Sequence, residues 1–151
     1  MKIRPMTQAD QPEVQSMMRV FFDSPAVLYA ASDEILARTI QDAVGDCPFI
    51  EGYVFDDNGT LCGYAMVAKG YTTEYGGICI WIEDLFIREA YRHQGLGRAF
   101  FHFLHEKYDG IAVRYKMEVE DENRNAVEAY KKCGYQMLAY DLMSREVEKN
   151  K

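Results

Sequence analysis

A chain of 151 residues, 48% hydrophobic and 27% charged, has the size of one domain with a single core, and no long stretch is poor enough in apolar side chains to read as disordered. Its 17 Lys and Arg against 24 Asp and Glu leave a formal charge of −7, which works against a nucleic-acid partner and suits a small cation. The longest apolar run, ICIWI, falls far short of the ~20 residues of a membrane span, and MKIRPMTQAD carries no apolar leader stretch, so neither membrane insertion nor secretion is expected. Cys47, Cys62, Cys79 and Cys133 are scattered without metal or redox spacing and read as free thiols in a reducing cytoplasm.

In chain order, KIRPM reads as a short strand, and TQADQPEVQSMMRVFF follows with Val14, Met17, Met18, Phe21 and Phe22 at helical spacing. SPAVLYAAS is a loop. Ser32 can cap a helix running to about Val44, with Ile35, Leu36, Thr39 and Ile40 inward and Gly45 closing it. FIEGYVF and TLCGYAMVAKGY are strand-like runs joined by DDNG, whose Asn-Gly pair suits the positive φ angles of a tight antiparallel hairpin. Beyond the polar loop YTTEYGG, ICIWIEDLFI is apolar almost throughout, as in a strand covered on both faces, and is expected at the centre of the sheet.

Leu96, Phe100, Phe103 and Leu104 mark a helix from Gly95 to Tyr108, ended by Asp109 and Gly110. IAVRYKMEV is the next strand, EDENRN a polar turn, AVEAYKKC a helix stopped at Gly134, and YQMLAYDLM a last strand. The order β-α-α-β-β-β-α-β-α-β predicts one α/β (α+β) domain over residues 1–143, a mixed sheet with helices on both faces, followed by a tail at 144–151.

The stretch YRHQGLGRAF sets Gly95 and Gly97 between Arg92 and Arg98 at the start of a helix. The first amides of a helix lack intrahelical partners, the dipole adds about half a positive charge, and absent Cβ atoms allow close approach, so this turn can cradle a phosphate. Taken by spacing alone it also fits a plain turn and packing contact. No Lys-Ser or Lys-Thr follows the glycines and the third glycine of a dinucleotide fingerprint is missing, which excludes the two common nucleotide loops.

RHQGLG, Arg92 to Gly97, resembles the Arg/Gln-x-x-Gly-x-Gly/Ala signature of the GNAT superfamily of acyl-CoA-dependent N-acyltransferases. IEDLFIREAYRHQGLG is similar to that family's preceding strand and bend, and ENRNAVEAYKKCGY to its later Asn-x-x-Ala-x-x-x-Tyr-x-x-x-Gly-Phe/Tyr element, so the resemblance covers about residues 1–143. It implies the GNAT fold, a mostly antiparallel sheet of six to seven strands with a splayed centre. It also implies acetyl-CoA as cosubstrate and no metal. Carried residue by residue, it gives Leu85, Phe86 and Ile87 to the pantetheine arm. Arg92, His93, Gln94, Gly95, Leu96, Gly97 and Arg98 go to the pyrophosphate, and Asn123 and Tyr130 lie near the thioester. Asn123 reads equally as a helix N-cap, and His93 as a loop residue of no special role.

Acyl transfer needs a neutral amine, yet an alkyl amine with a pKa near 10.4 is only about one part in a thousand neutral at pH 7. A carboxylate acting as general base, directly or through water, is worth roughly 10²- to 10⁴-fold. Glu83 and Asp84 are the candidates, since they break an apolar strand where unpaired charge is costly. Strand alternation sends them to opposite faces unless a bulge intervenes; the resemblance favours Glu83.

Tyr130 can hydrogen-bond the leaving thiolate and transfers its proton only if its pKa is lowered, while the family resemblance implies a main-chain N–H near Leu85 or Phe86 to hold the oxyanion. His102 and His105 lie one helical turn apart without a third metal ligand, as on a solvated helix face.

The negative charge, the run EVEDE, and Glu74 with Tyr75 before the central strand suit a cationic substrate. The Trp81–Gly97 and Asn123–Tyr135 stretches are similar to the diamine (spermidine/spermine) acetyltransferase branch, implying a polyamine or another small primary amine. A peptide or protein amine, or a non-catalytic acyl-CoA-binding module, are the alternatives; relatives imply a homodimer.

Overall fold

The computed structural model describes residues 1–147; positions 148–151, half of the expected tail, lie outside the described residues. Five strands, β1 (Lys2–Pro5), β2 (Ile50–Asp57), β3 (Thr60–Thr72), β4 (Gly77–Ile87) and β5 (Ala112–Met117), form one open sheet in sequence order. The first four pair antiparallel and β5 joins β4 in parallel. Four helices, α1 (Gln11–Phe22), α2 (Asp33–Val44), α3 (Leu96–Tyr108) and α4 (Arg124–Lys132), complete the domain.

Local chemistry explains most boundaries. Asn58 and Gly59 take φ of 53° and 94°, the twin left-handed residues of a tight hairpin, and Asp56 Oδ1 accepts the Gly59 N–H at 2.7 Å. Ser32 caps α2 by accepting the Ile35 N–H at 3.3 Å. Asp10, which closes the turn before α1, accepts from Thr7 N–H and Oγ1 at 2.8 and 3.0 Å, and from both Arg4 terminal nitrogens.

The two faces of the sheet carry separate cores. Along β2, Val54 packs with α1 and α2 beside Met17, Met18, Leu36, Ile40, Tyr64 and Met66. Its neighbours Tyr53 and Phe55 pack on the other face with Val67, Ile80, Phe100, Phe101 and Leu104 of α3, as a period of two requires. A phenylalanine enclosed as completely as Phe100 contributes roughly 2–3 kcal/mol by burial.

Three expectations change. Ile35 is 43% exposed and Thr39 half-buried, so the inward stripe of α2 is Leu36 and Ile40, with Ala43 and Val44 packed beside them. The middle strand of the five is β3, with β4 one place off centre. The sheet has five strands instead of six or seven, because YQMLAYDLM forms no ladder: a strand-like sequence becomes a strand only when a neighbouring edge takes up its backbone groups.

Candidate active site

On its β3 side β4 is paired to its end, with Gly63 opposite Ile87, but on its β5 side pairing stops at Ile82 opposite Met117. From Glu83 onward the β5-facing edge of β4 is free and the two strands part. This is the splayed centre, and the backbone groups of residues 83–87 that face the gap can accept an extended ligand as an added strand.

A bulge sits at the mouth of the gap. Met66 opposes Asp84 while Val67 opposes Ile82, leaving Glu83 as an extra residue in β4. Ile80 and Ile82 face α3, and so do Leu85 and Ile87, which strict alternation forbids; the extra residue resets the parity. Asp84 and Phe86 therefore turn toward α1, where Phe86 joins the core and Asp84 Oδ2 accepts the Tyr64 hydroxyl hydrogen at 3.0 Å. Glu83, following Ile82, also points away from α3, so the two adjacent carboxylates share a side.

Their electrostatics differ. Burial pushes the Asp84 carboxyl up to about 7, with the Glu83 charge adding to the rise and the Tyr64 hydrogen bond opposing it. Glu83 is accessible, yet surrounding protein desolvates its carboxyl and, with Glu118 nearby, raises it above the ordinary range. A small cleft of about 30 Å³, lined by Trp81, Ile82, Glu83 and Glu118, opens where β4 and β5 separate.

Beyond Ile87 the chain bends through a 3-10 turn (Glu89–Tyr91) to His93, at φ 61°, and Gly95, at φ 78°, before α3 begins. Ala99 N–H to the Gly95 carbonyl, at 3.0 Å, closes the first turn, so the amides of Leu96, Gly97 and Arg98 have no intrahelical acceptor. A Cβ on Gly95 would meet nothing within 4 Å, and one on Gly97 only Leu85 Cδ2 at 3.9 Å. Space is open over both glycines, a cradle that an anion can approach closely.

Arg92 caps the end of β4, its Nε donating to the Ile87 carbonyl at 2.9 Å with the guanidinium 5.9 Å from the Phe86 ring centroid. Its terminal nitrogens remain for a ligand. Gln94 Nε2 reaches the Ala90 carbonyl at 3.4 Å, and Arg98 is exposed on the first turn of α3.

Tyr130, on α4, packs edge-on against Phe101 of α3 with ring centroids 5.6 Å apart. Burial pushes its phenol above the ordinary value. Without a ligand it is a hydrogen-bond donor and a poor proton donor. Asn123 is the N-cap of α4, its Oδ1 3.4 Å from the Ala126 N–H, a long contact that leaves the side chain loosely held.

Glu74 and Tyr75 are not brought to this cluster. They occupy the β3–β4 turn, and Gly77 to Glu83 is six residues of strand, ~20 Å. Glu74 already binds Arg114 at 2.9 Å and Tyr140 at 2.8 Å, and Tyr75 lies under the Arg114 guanidinium at 4.8 Å. His102 pairs with Glu106 one turn on, and His105 packs on Tyr115.

A larger cavity of about 280 Å³ lies elsewhere, between the end of α2 and the start of β2, with Glu51, Lys69 and Lys107 in its wall. It includes neither the free strand edge nor the open helix end. Two residues of the cluster escape a reading of the sequence: Tyr64, which reaches Asp84 only through strand register, and Glu118, hidden in an acidic run.

The family model for the acetyltransferase (GNAT) family matches residues 14–135, and the chain belongs to that family, whose acyl donor is acetyl-CoA. A possible acetyltransferase from Clostridium difficile 630 superposes with a TM-score of 0.83 at 17% identity, covering 98% of each chain. The aminoglycoside N-acetyltransferase AAC(6')-Iy, solved in complex with CoA, gives 0.80 at 11% identity over 96% of this chain and 93% of its own. A ribosomal-protein-alanine N-acetyltransferase from Brucella melitensis biovar Abortus 2308 gives 0.72 at 15% identity over 97% of both. Identities this low speak for the shared fold. Among the described residues no group of His, Cys, Asp or Glu is arranged to hold a metal, and no helix is long and apolar enough to cross a membrane.

Proposed function

We propose that this chain is an N-acetyltransferase that moves an acetyl group from the thioester of acetyl-CoA to a primary amine by direct attack within a ternary complex. One observation carries the reading: the free edge of β4 beyond Ile82 leads, within a few residues, to the open N-terminus of α3 over Gly95 and Gly97. The fit is one of chemistry. A pantetheine amide chain matches the edge at Leu85, Phe86 and Ile87, and a diphosphate matches the amides of Leu96, Gly97 and Arg98 with Arg92, His93 and Gln94 at the rim.

Acetyl-CoA supplies an activated acyl carbon and a leaving thiolate. Glu83 takes a proton from the attacking ammonium or amine, directly or through water, so that nitrogen forms the new C–N bond as the C–S bond breaks. Its upward-shifted carboxyl is better matched to an amine proton than an ordinary glutamate. Tyr130 donates a hydrogen bond to the sulfur as charge develops there, and Asn123 orients the donor arm. A β4 amide near Leu85 or Phe86, unpaired on the β5 side, holds the carbonyl oxygen.

Glu83 and Glu118 line the cleft with acidic groups, with Asp84 behind them on Tyr64, which supports a small cationic amine such as a polyamine, in line with the resemblance of the Trp81–Gly97 stretch to diamine acetyltransferases. Glu74 and Tyr75 enter only as outlying attraction. A peptide or protein amine is the second reading, since the fold is shared with both an aminoglycoside and a ribosomal-protein-alanine acetyltransferase. Four unpaired cysteines suit a cytoplasmic location, residues 1–143 are the functional domain, and the working state is a homodimer.

The test is incubation with acetyl-CoA and a panel of polyamines, other primary amines and peptides while free thiol is followed. Thiol release with an amine supports the reading. Saturable acetyl-CoA binding, adding roughly 2.7 kcal/mol of stability at about 100 times its Kd, with no acceptor in any class would point to a non-catalytic acyl-CoA module. No binding at all would overturn both.

A further inference from the structure

The larger cavity, between the end of α2 and the start of β2, is walled by charges that do not complete one another. Glu51 and Tyr53 project from β2 toward α3, Lys69 joins them from β3, and Lys107 from the last turn of α3. Glu51 Oε2 receives the Lys107 ammonium at 3.4 Å, whereas Glu51 Oε1 is buried and has no hydrogen-bond partner among the described residues. Lys69 Nζ stands 3.9 Å from Oε1, beyond hydrogen-bond reach. A buried acceptor without a donor is a costly exception in a folded protein. Lys107 Nζ donates to the Tyr53 hydroxyl at 2.6 Å and, with three hydrogens, keeps donor capacity for a ligand, as does Lys69.

The opposite wall is the end of α2. Ala43, Val44 and Gly45 line the cavity, so the last carbonyls of the helix, which lack intrahelical donors, lie at its edge together with Asp46. That end is the negative pole of the helix, and α2 has no basic residue in its last turn to offset it. One part of the cavity is thus negative, at Glu51 Oε1 and the end of α2, and another positive, at Lys69 and Lys107, while Met6 and Ile50 supply apolar surface. Its volume of about 280 Å³ lies just under the ~300–1,000 Å³ of pockets for drug-sized ligands, so it suits a smaller molecule.

We propose that this cavity is a binding site for a small free α-amino acid, its ammonium on Glu51 Oε1 and the end of α2 and its carboxylate on Lys69 and Lys107. The charges decide the class of ligand. Two carboxylates, Asp46 and Glu51, stand against two ammonium groups, Lys69 and Lys107, so a ligand of single charge leaves one sign unmatched while a zwitterion answers both. Spacing decides between kinds of amino acid. Glu51 Oε1 and Lys69 Nζ present an acceptor and a donor side by side, 3.9 Å apart, which suits an ammonium and a carboxylate on the same carbon better than two held at the ends of a chain. The site is separate from the donor cradle: Lys107 lies at the last turn of α3 and Leu96 at its first, ~16 Å away along the helix. The inference therefore does not depend on acetyl transfer.

Calorimetric titration and amide NMR of the full chain with glycine, alanine and valine test it, beside acetate and methylamine, which carry one charge each. The expected result is saturable binding of at least one amino acid with amide shifts centred on residues 43–53, and binding of acetate and methylamine weaker by roughly tenfold or more. Lys69→Met and Glu51→Gln should each weaken amino-acid binding by roughly tenfold or more, with thermal melting of the variants showing that they fold. The comparison of probes on the unaltered chain stands whether or not they do. No binding of any of the three amino acids overturns the proposal and leaves Glu51 Oε1 to solvent. Acetate or methylamine bound as tightly as an amino acid also overturns it, since the site then reads one charge. So do shifts centred on residues 83–98, which would put the amino acid in the acceptor cleft. Acetyl-CoA thermal shifts on the same samples report separately on the donor site.

Discussion

Asp84 Oδ2 and the Tyr64 hydroxyl are joined at 3.0 Å within the core under α1, one residue past the bulge that releases Glu83 into the cleft. The pair locks the strand where its two faces change places. The Asp84 carboxyl titrates near 7 in the folded chain, against 3.8 as its ordinary value, with burial the main cause. Between about pH 4 and 7 the folded chain holds a proton that the unfolded chain has released, so this group's effect is a stability that falls as pH rises through the window and is lowest above it. Asp84→Asn should therefore exceed the wild type by about 2–4 kcal/mol at pH 8, with the difference closing toward pH 4. Urea denaturation across that range measures it; an offset that does not change with pH would refute the burial effect.

Gly97→Ala separates the cradle from the fold. The added Cβ meets only Leu85 Cδ2 at ordinary contact distance, and alanine is the better helix former by about 1 kcal/mol, so stability should hold or rise slightly. Acetyl-CoA affinity should fall about tenfold or more as the methyl group occupies the space a diphosphate needs. Calorimetric titration beside thermal melting checks both; unchanged affinity would place the diphosphate elsewhere.

Glu83→Gln and Tyr130→Phe should divide the chemistry. The first should lower kcat by about 10²- to 10⁴-fold and remove the acid limb of the kcat/KM pH profile, which stands above the ordinary glutamate range because of desolvation and Glu118. The second should lower kcat with acetyl-CoA affinity kept. Loss of binding in Tyr130→Phe with turnover intact would mean that this ring packs the donor and does no chemistry.

Arg4 clamps the N-terminal strand to two other elements, holding Asp10 through two nitrogens and Asp56 through Nε at 2.8 Å. Asp10→Ala should cost about 2–3 kcal/mol, since it strips a nearly buried carboxylate from its guanidinium. The Arg4 hydrogen bonds hold the Asp10 carboxyl below its ordinary value, so its stabilisation is complete above about pH 4 and is lost as pH falls through the lower folded value. The variant should accordingly show a shallower loss of stability in acid, measured by thermal melting from pH 5 downward.

What could be read from the sequence was local. Asn58-Gly59 and Gly95 act through their own backbone angles and Ser32 through its own hydroxyl, and each falls where expected. Ile35 was misassigned because the spacing in α2 fits two adjoining stripes, and only the sheet beneath decides between them. The bulge at Glu83 and the reach of Tyr64 to Asp84 depend on the register of β3 against β4, which no single strand encodes. Likewise YQMLAYDLM has strand chemistry but needs an edge that the chain alone does not pair with it.

The parallel seat of β5 also bears on how the molecule is made. β1 apart, each of the first four strands meets its neighbour across a short turn, and such nearest-neighbour meanders can assemble early as the polypeptide emerges from the ribosome. The slot beside β4 has no second wall until the chain has threaded α3 and come back. On the proposed reading, competence for the donor is thus withheld from nascent fragments, and the last strand of the sheet to be synthesised is the one that turns a folded ribbon into a receptor.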